Sequence, residues 1–211
     1  MSTDLNPYRL SRRSLLRAGA GAMLLGAAPQ VFAGAQKEET LADNVATAMR
    51  NSIDNVNPPY LVFSRKKHGE QWLAEMSQRL TRYVKSEYER EKILINMQYE
   101  SVRAGLDPQL VLGLMQVESG FRRYAISGAG ARGLMQVMPF WVRSIGTPEH
   151  NLFDVRTNLR YGCTILRHYL NMENGDLYLA LGRYNGSRGQ PQYPNAVFAA
   201  HKSRWLYDGP L

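Results

Sequence analysis

Apolar residues recur along this chain at the three- and four-residue spacing of helices, and no alternating run long enough for a strand appears. Leu41, Val45 and Met49 mark a short helix over residues 38–53. Asn55, Asn57, Pro58 and Pro59 then punctuate a turn. Residues 68–104 read as one long helix or two consecutive ones. Trp72, Met76, Leu80 and Tyr83 form one stripe there, and Ile93, Met97 and Val102 carry apolar contacts on to Gly105. Asp107-Pro108 supplies an N-cap and a first-turn proline for the next helix, which Ser119-Gly120 closes. Residues 121–132 are rich in Gly, Ala and Ser and read as loop. Residues 154–172 make a further helix with Leu159, Cys163, Leu166 and Leu170 on one face. A shorter helix spans 177–184, the two prolines of 188–194 mark a loop, and 196–205 closes as a helix. The predicted class is mainly α, without internal repeats.

One residue breaks the pattern. Leu110, Leu114 and Glu118 fall at i, i+4 and i+8 with Val111 and Met115 beside them, so Glu118 continues an apolar stripe. Burying an ionised carboxylate is costly, and its pKa rises in response. A carboxylic acid still protonated near neutral pH is what general acid catalysis requires. The alternative is a helix-end Glu that reaches solvent or pairs with Arg122 or Arg123.

The surroundings of Glu118 favour the first reading. Glu118-Ser119-Gly120 is followed by Ser127, then by Gly133-Leu134-Met135-Gln136-Val137-Met138-Pro139. Asn151-Leu152-Phe153-Asp154, Asn158, Tyr161-Gly162 and Arg183-Tyr184-Asn185-Gly186 come after. In this order the set resembles the soluble lytic transglycosylase (SLT) family, the goose-lysozyme-like glycosidases that cut bacterial peptidoglycan. The resemblance covers roughly residues 104–206. It implies a lysozyme-like (goose-type) catalytic domain with extra N-terminal helices, with residues 86–207 as the catalytic domain and 36–85 as a helical extension.

The resemblance also implies roles. Glu118 would serve as acid and then base, the 6-hydroxyl of N-acetylmuramic acid would be the nucleophile, and a 1,6-anhydro sugar would be the product. Ser127 would contact substrate, or alternatively cap a turn. Met135 and Gln136 would line the sugar cleft, although Met135 taken alone reads as core. Tyr184 would hydrogen-bond the catalytic Glu, and Asn185 would shape the cleft. The chain has Tyr-Asn-Gly-Ser where many relatives have Tyr-Asn-Ala-Gly, which leaves the loop geometry near Asn185 open. Tyr161, Tyr193 and Trp205 are candidates for stacking on sugars, with Trp205 favoured as core. A second carboxylate was sought, because hydrolysis ordinarily uses two. Asp154 is the best candidate, yet N-cap service ahead of the 154–172 helix is the simpler role. The rivals are a muramidase hydrolase on the same fold, and a non-catalytic wall-binding or assembly protein on the same scaffold.

Composition narrows the rest. The 211 residues suit one compact domain with additions. Cys163 is the single cysteine and reads as a buried structural thiol. His68, His150, His168 and His201 are scattered without metal-ligand spacing, and no phosphate-binding loop appears. No cofactor and no metal is implied. Ser11-Arg12-Arg13-Ser14-Leu15-Leu16-Arg17, with a mildly apolar run to Ala28 and small residues up to Ala35, reads as a twin-arginine signal peptide over 1–35. Export to the periplasm is expected, without stable membrane insertion after processing. The net charge is +8, and beyond residue 35 there remain 22 basic against 17 acidic residues. A basic surface suits the anionic glycan strands of a cell wall, and equally an ordinary solvated face. No nucleic-acid motif accompanies it. Residues 36–85 match no named pattern. Packing on the domain, docking to a protein partner and covering the cleft are all open for them.

Overall fold

A computed structural model describes residues 36–54 and 56–209 of the chain. The signal-peptide reading of 1–35 therefore lies outside the described residues. The elements run α1 (Asp43–Ile53), α2 (Lys66–Leu80), α3 (Glu87–Arg103), α4 (Pro108–Glu118), α5 (Phe140–Ile145), α6 (Val155–Met172), α7 (Leu177–Asn185) and α8 (Gln192–Ala200). A π-helical turn, His201–Trp205, continues α8. Among the described residues, strand-like pairing is limited to isolated bridges at Ile126–Arg132 and Arg132–Val137. The mainly α class read from the spacing is the class observed.

The caps explain several helix starts. Asp107, Asp154 and Asp176 each place a side-chain oxygen on a first-turn amide of α4, α6 and α7, and Ser86 does the same for α3. Such a cap is worth about 1 kcal/mol against alanine. The stretch 68–104 is two helices, split where Ser86 starts α3 afresh. Helix α1 begins later than residue 38, at Asp43, because the residues before it are held elsewhere. Helix α5 escaped the sequence reading: six residues are too few to show a period, although Phe140, Trp141 and Ile145 are all buried. The prolines taken for a loop before residue 196 belong to the start of α8, where a missing N–H costs nothing. Val102 faces outward instead of continuing the core stripe of α3.

Helix α4 lies at the centre, packed on α3, α8 and the π-helical turn. Gly113 makes the α4–α8 approach feasible, since a Cβ there would stand 3.0 Å from both Val197 O and His201 N. Trp72, Met76 and Leu80 of α2 and Met49 and Ile53 of α1 share the same hydrophobic core as α4 and α6. Residues 36–85 thus pack on the rest of the chain, through helices α1 and α2. Cys163 is fully buried in this core, where desolvation pushes its thiol up to about 12. That is the inert thiol expected.

A second buried acid fastens α1 to α6. Glu100 on α3 is fully buried and meets Arg103 Nε at 2.8 Å, Arg160 Nε at 3.3 Å and Arg156 Nε at 3.6 Å. Arg160 in turn donates to Ile53 O at 2.6 Å, at the end of α1, and Arg156 donates to Asn57 O. Removing one member of such a cluster leaves buried charge unopposed, which typically costs about 3–5 kcal/mol. Glu100→Ala is accordingly expected to lose stability on that scale in urea unfolding. A loss below about 1 kcal/mol would mean that the arginines find water without the carboxylate.

Candidate active site

Glu118 is the last residue of α4, and its side chain is 2 % exposed. The helical stripe of Leu110 and Leu114 has carried it into the interior, as the spacing required. Tyr193, in the first turn of α8, donates its hydroxyl to Glu118 Oε1 at 2.5 Å. Glu118 Oε2 is buried with no hydrogen-bond partner among the described residues. Neither Arg122 nor Arg123 pairs with it: Arg122 Nε donates to Ser119 O, and Arg123 Nε donates to Phe153 O. Desolvation raises the Glu118 carboxyl from the ordinary 4.5 to about 8, and the Tyr193 hydrogen bond only partly offsets it. Burial wins because, among the described residues, no cation stands near enough to oppose it.

The turn after α4 is fixed to this acid. Ser119 Oγ donates to Leu134 O at 2.7 Å and so ties the end of α4 to residues 131–137. Asn158 of α6 holds the same turn from behind. It accepts from Met135 N at 2.8 Å and donates to Arg132 O at 2.8 Å and Leu152 O at 2.9 Å. Gly133 is required at its place, with φ at 78° and a would-be Cβ 2.4 Å from Asn158 Nδ2. Two non-glycine residues flank the acid with left-handed backbone, Phe121 at φ 62° and Gln136 at φ 49°. Such strain persists only where packing dictates it, and it gathers at functional sites. Phe121 is pinned between Tyr83 and Trp205, at centroid distances of 5.1 and 5.2 Å.

The other residues expected at the site fall out unevenly. Tyr184 does not hold Glu118 by a hydrogen bond; its hydroxyl donates to Met135 O at 2.7 Å. It is fully buried close enough to feel the charge of Glu118, so it frames the site from α7 while Tyr193 makes the contact. Met135 is fully buried against Gly162, within the core cluster. Gln136 is buried and gives its amide to Gly133 O at 2.8 Å and Ala125 O at 3.2 Å, which braces the turn. Ser127 Oγ accepts from Ala131 N at 3.0 Å, the turn-capping alternative. Asn185 accepts from Ser187 Oγ at 3.0 Å, while its Nδ2 is buried without a partner among the described residues. Gly186 ends α7 in a left-handed cap at φ 82°, so the glycine of Tyr-Asn-Gly-Ser closes the helix and the serine holds Asn185. Tyr161, Tyr193 and Trp205 are all buried, which removes them as exposed stacking platforms.

The acids that could have served beside Glu118 are engaged. Asp154 caps α6 through Thr157 N at 2.9 Å. Glu173 takes a bidentate contact from Arg188 at 2.7 and 2.9 Å and a further one from Arg183, which hold its carboxyl down at about 2. Tyr193 is a stacking candidate in the sequence, but its contact with Glu118 is not legible there, nor are the anchoring roles of Ser119 and Asn158. Tyr193 lies between two prolines that suggested loop, and only its place in the first turn of α8 aims it at Glu118.

The raised carboxyl has a cost in stability. Between the ordinary 4.5 and about 8, folded Glu118 keeps a proton that the unfolded chain has released. Stability contributed by this group therefore declines as pH rises through that window and is level above it. Glu118→Gln removes the dependence. The variant should match the parent in urea unfolding at about pH 4 and exceed it by on the order of 4 kcal/mol at about pH 9. Equal stability of the two proteins at both pH values would mean that Glu118 ionises normally.

The family model described as "Transglycosylase SLT domain" matches residues 95–203, just over half of the chain. A "Transglycosylase" of Enterobacteria phage PRD1 is 39% identical over 93 residues, covering 44% of this chain and 34% of that protein. A "Membrane-bound lytic murein transglycosylase C" of Actinobacillus pleuropneumoniae serotype 5b (strain L20) is 41% identical over 83 residues, 38% of this chain and 21% of that protein. A protein of the same name from Edwardsiella ictaluri (strain 93-146) is 34% identical over 114 residues, 46% of this chain and 32% of that protein. The chain thus spans about a third or less of the length of these curated relatives. With its acid, its anchoring serine and the Gly-Leu-Met-Gln turn all inside the matched stretch, the chain belongs to the transglycosylase SLT domain family.

Proposed function

We propose that the protein is a peptidoglycan lytic transglycosylase that cleaves the bond between N-acetylmuramic acid and N-acetylglucosamine, with Glu118 as its sole acid and base. The observation that carries this reading is the state of Glu118: buried, uncharged up to about pH 8, one oxygen held by Tyr193 and the other without a partner. Since the tyrosine donates to Oε1, Oε2 is the oxygen that carries the acidic proton. It passes that proton to the glycosidic oxygen as the bond to C1 breaks. The resulting carboxylate then takes the proton of the muramic acid 6-hydroxyl as that oxygen attacks C1. The 1,6-anhydro ring forms, Glu118 is protonated again and no water is consumed. Tyr193 donates throughout, and its hydrogen bond is strongest to the transient carboxylate.

Support for a lyase over a hydrolase comes from the engaged acids. Asp154 caps a helix and Glu173 is bound to arginines, so neither is free to activate water. The names of two relatives refer to lytic murein transglycosylases at a membrane, which fits a substrate in the cell wall and a place in the envelope. Export through the twin-arginine route to the periplasm, with residues 86–207 as the catalytic domain, completes the proposal.

Digestion of purified peptidoglycan, with products weighed by mass spectrometry, tests it. Anhydro-muropeptides are expected from the parent, and turnover of Glu118→Gln should fall by at least about a hundredfold. Products heavier by one water would instead make the protein a muramidase. Because the acid must be protonated, activity should fall above about pH 8. Tyr193→Phe removes the interaction that lowers the Glu118 pKa, so its alkaline limb should move to higher pH while kcat drops. An unmoved limb in Tyr193→Phe would assign the titration to another group.

A further inference from the structure

Gln36, in the segment leading to α1, is 4 % exposed, whereas Lys37, Glu38 and Glu39 beside it are open to solvent. Its carboxamide sits in a cradle made by the turn next to Glu118. Nε2 donates to Gln136 O at 3.2 Å. Oε1 accepts from Trp141 Nε1 at 3.1 Å and from Met138 N at 3.3 Å. The amide also reaches the hydroxyl of Tyr184, the residue that frames the acid from α7. Downstream, Glu38 pairs with Arg143 of α5 at 3.6 Å, and Glu39 pairs with Arg183 of α7 at 3.5 Å.

The cradle has a specific chemical shape. One carbonyl acceptor faces an N–H, and two N–H donors face a C=O. That set fits a carboxamide and disfavours a carboxylate, which has no N–H to give the Gln136 carbonyl and would set acceptor against acceptor there. A secondary amide can fill the same C=O place and the N–H place facing Gln136 O, and every sugar of a peptidoglycan strand carries an acetamido group. On the reading of the site given above, we propose that Gln36 is an internal stand-in for a sugar acetamido group, and that residues 36–39 plug one subsite of the glycan groove until glycan displaces them.

The fastening is of a strength that permits displacement. Gln36 is neutral, and the rim pairs are partly or largely exposed, with side chains of Arg143 and Glu38 at 67% and 60%. Exposed pairs hold weakly and salt weakens them further. A ligand that competes with an internal occupant shows an affinity reduced by the fraction of molecules that are open. The same carboxamide on a free sugar meets no such competitor once the plug is gone.

The test uses the full chain and tri-N-acetylchitotriose as probe, with binding by calorimetry and turnover on peptidoglycan. Gln36→Ala and Gln36→Glu should bind the trisaccharide on the order of tenfold more tightly than the parent, with KM lowered and kcat unchanged. Lys37→Ala, which alters only an exposed neighbour, should bind as the parent does. In the parent, the Trp141 indole N–H resonance should shift with added sugar toward its position in sugar-saturated Gln36→Ala. Should Gln36→Ala melt early, the Glu38→Ala/Glu39→Ala pair, which loosens only the rim, carries the same expectation of tighter binding. A parent that binds and cuts glycan, with variants that bind no more tightly or less tightly, overturns the plug and leaves the enzymatic reading standing. No binding and no cleavage by any folded variant overturns both.

Discussion

The structure depends on keeping one carboxyl group buried without a cation. Among the described residues no arginine, lysine or histidine balances Glu118, and its side chain is buried. In that setting the neutral acid is the stable form, and a hydroxyl supports it without adding charge. Tyr193 supplies it. The demand reaches backward into the sequence: α4 must be apolar around nearly its whole circumference, α8 must approach within contact of Gly113, and Ser119 must tie the 131–137 turn to the end of α4.

Glu100 shows the opposite solution in the same molecule. It is buried as deeply as Glu118, yet three arginines surround it and two of them reach on to the carbonyls of Ile53 and Asn57. An ion cluster of this kind contributes little net stability, since desolvation offsets most of the Coulomb attraction. What it contributes is registry, because the end of α1 can dock on α6 only where those guanidinium groups are satisfied. One buried acid is thus permanently paired and structural, while the other is unpaired and chemically poised.

The division between what could and could not be read from sequence follows from the range of the forces involved. Local signals were legible. Asp107-Pro108 and Asp154 named their helix starts, Leu110 and Leu114 placed Glu118 inside, and Trp205 belonged to the core. Contacts set by tertiary approach were not. Nothing in the spacing of Tyr184 and Tyr193 decides which hydroxyl meets Glu118, since both belong to helices whose mutual angle the sequence does not display. Met135 and Gln136 were expected on a cleft wall because the motif resembled one. Met135 fills the core and Gln136 braces a left-handed turn, packing that the motif alone does not display. Gln36 carried no local signal at all, since its partners lie a hundred residues away.

A basic chain raises a final problem for such a site: its many guanidinium groups must be kept from the acid. Any one of them beside Glu118 would stabilise the carboxylate and undo the proton storage that burial provides. Among the described residues, the arginines near the site are committed elsewhere. Arg122 is held by Ser119 O, Arg123 by Phe153 O and Glu89, and Arg132 lies over the ring of Phe153. Arg183, the immediate neighbour of Tyr184, is drawn to Glu173 together with Arg188. Glu173 therefore does for the site what a second catalytic carboxylate could not. By fixing two cations at a distance, it leaves Glu118 alone with Tyr193 and free to remain an acid.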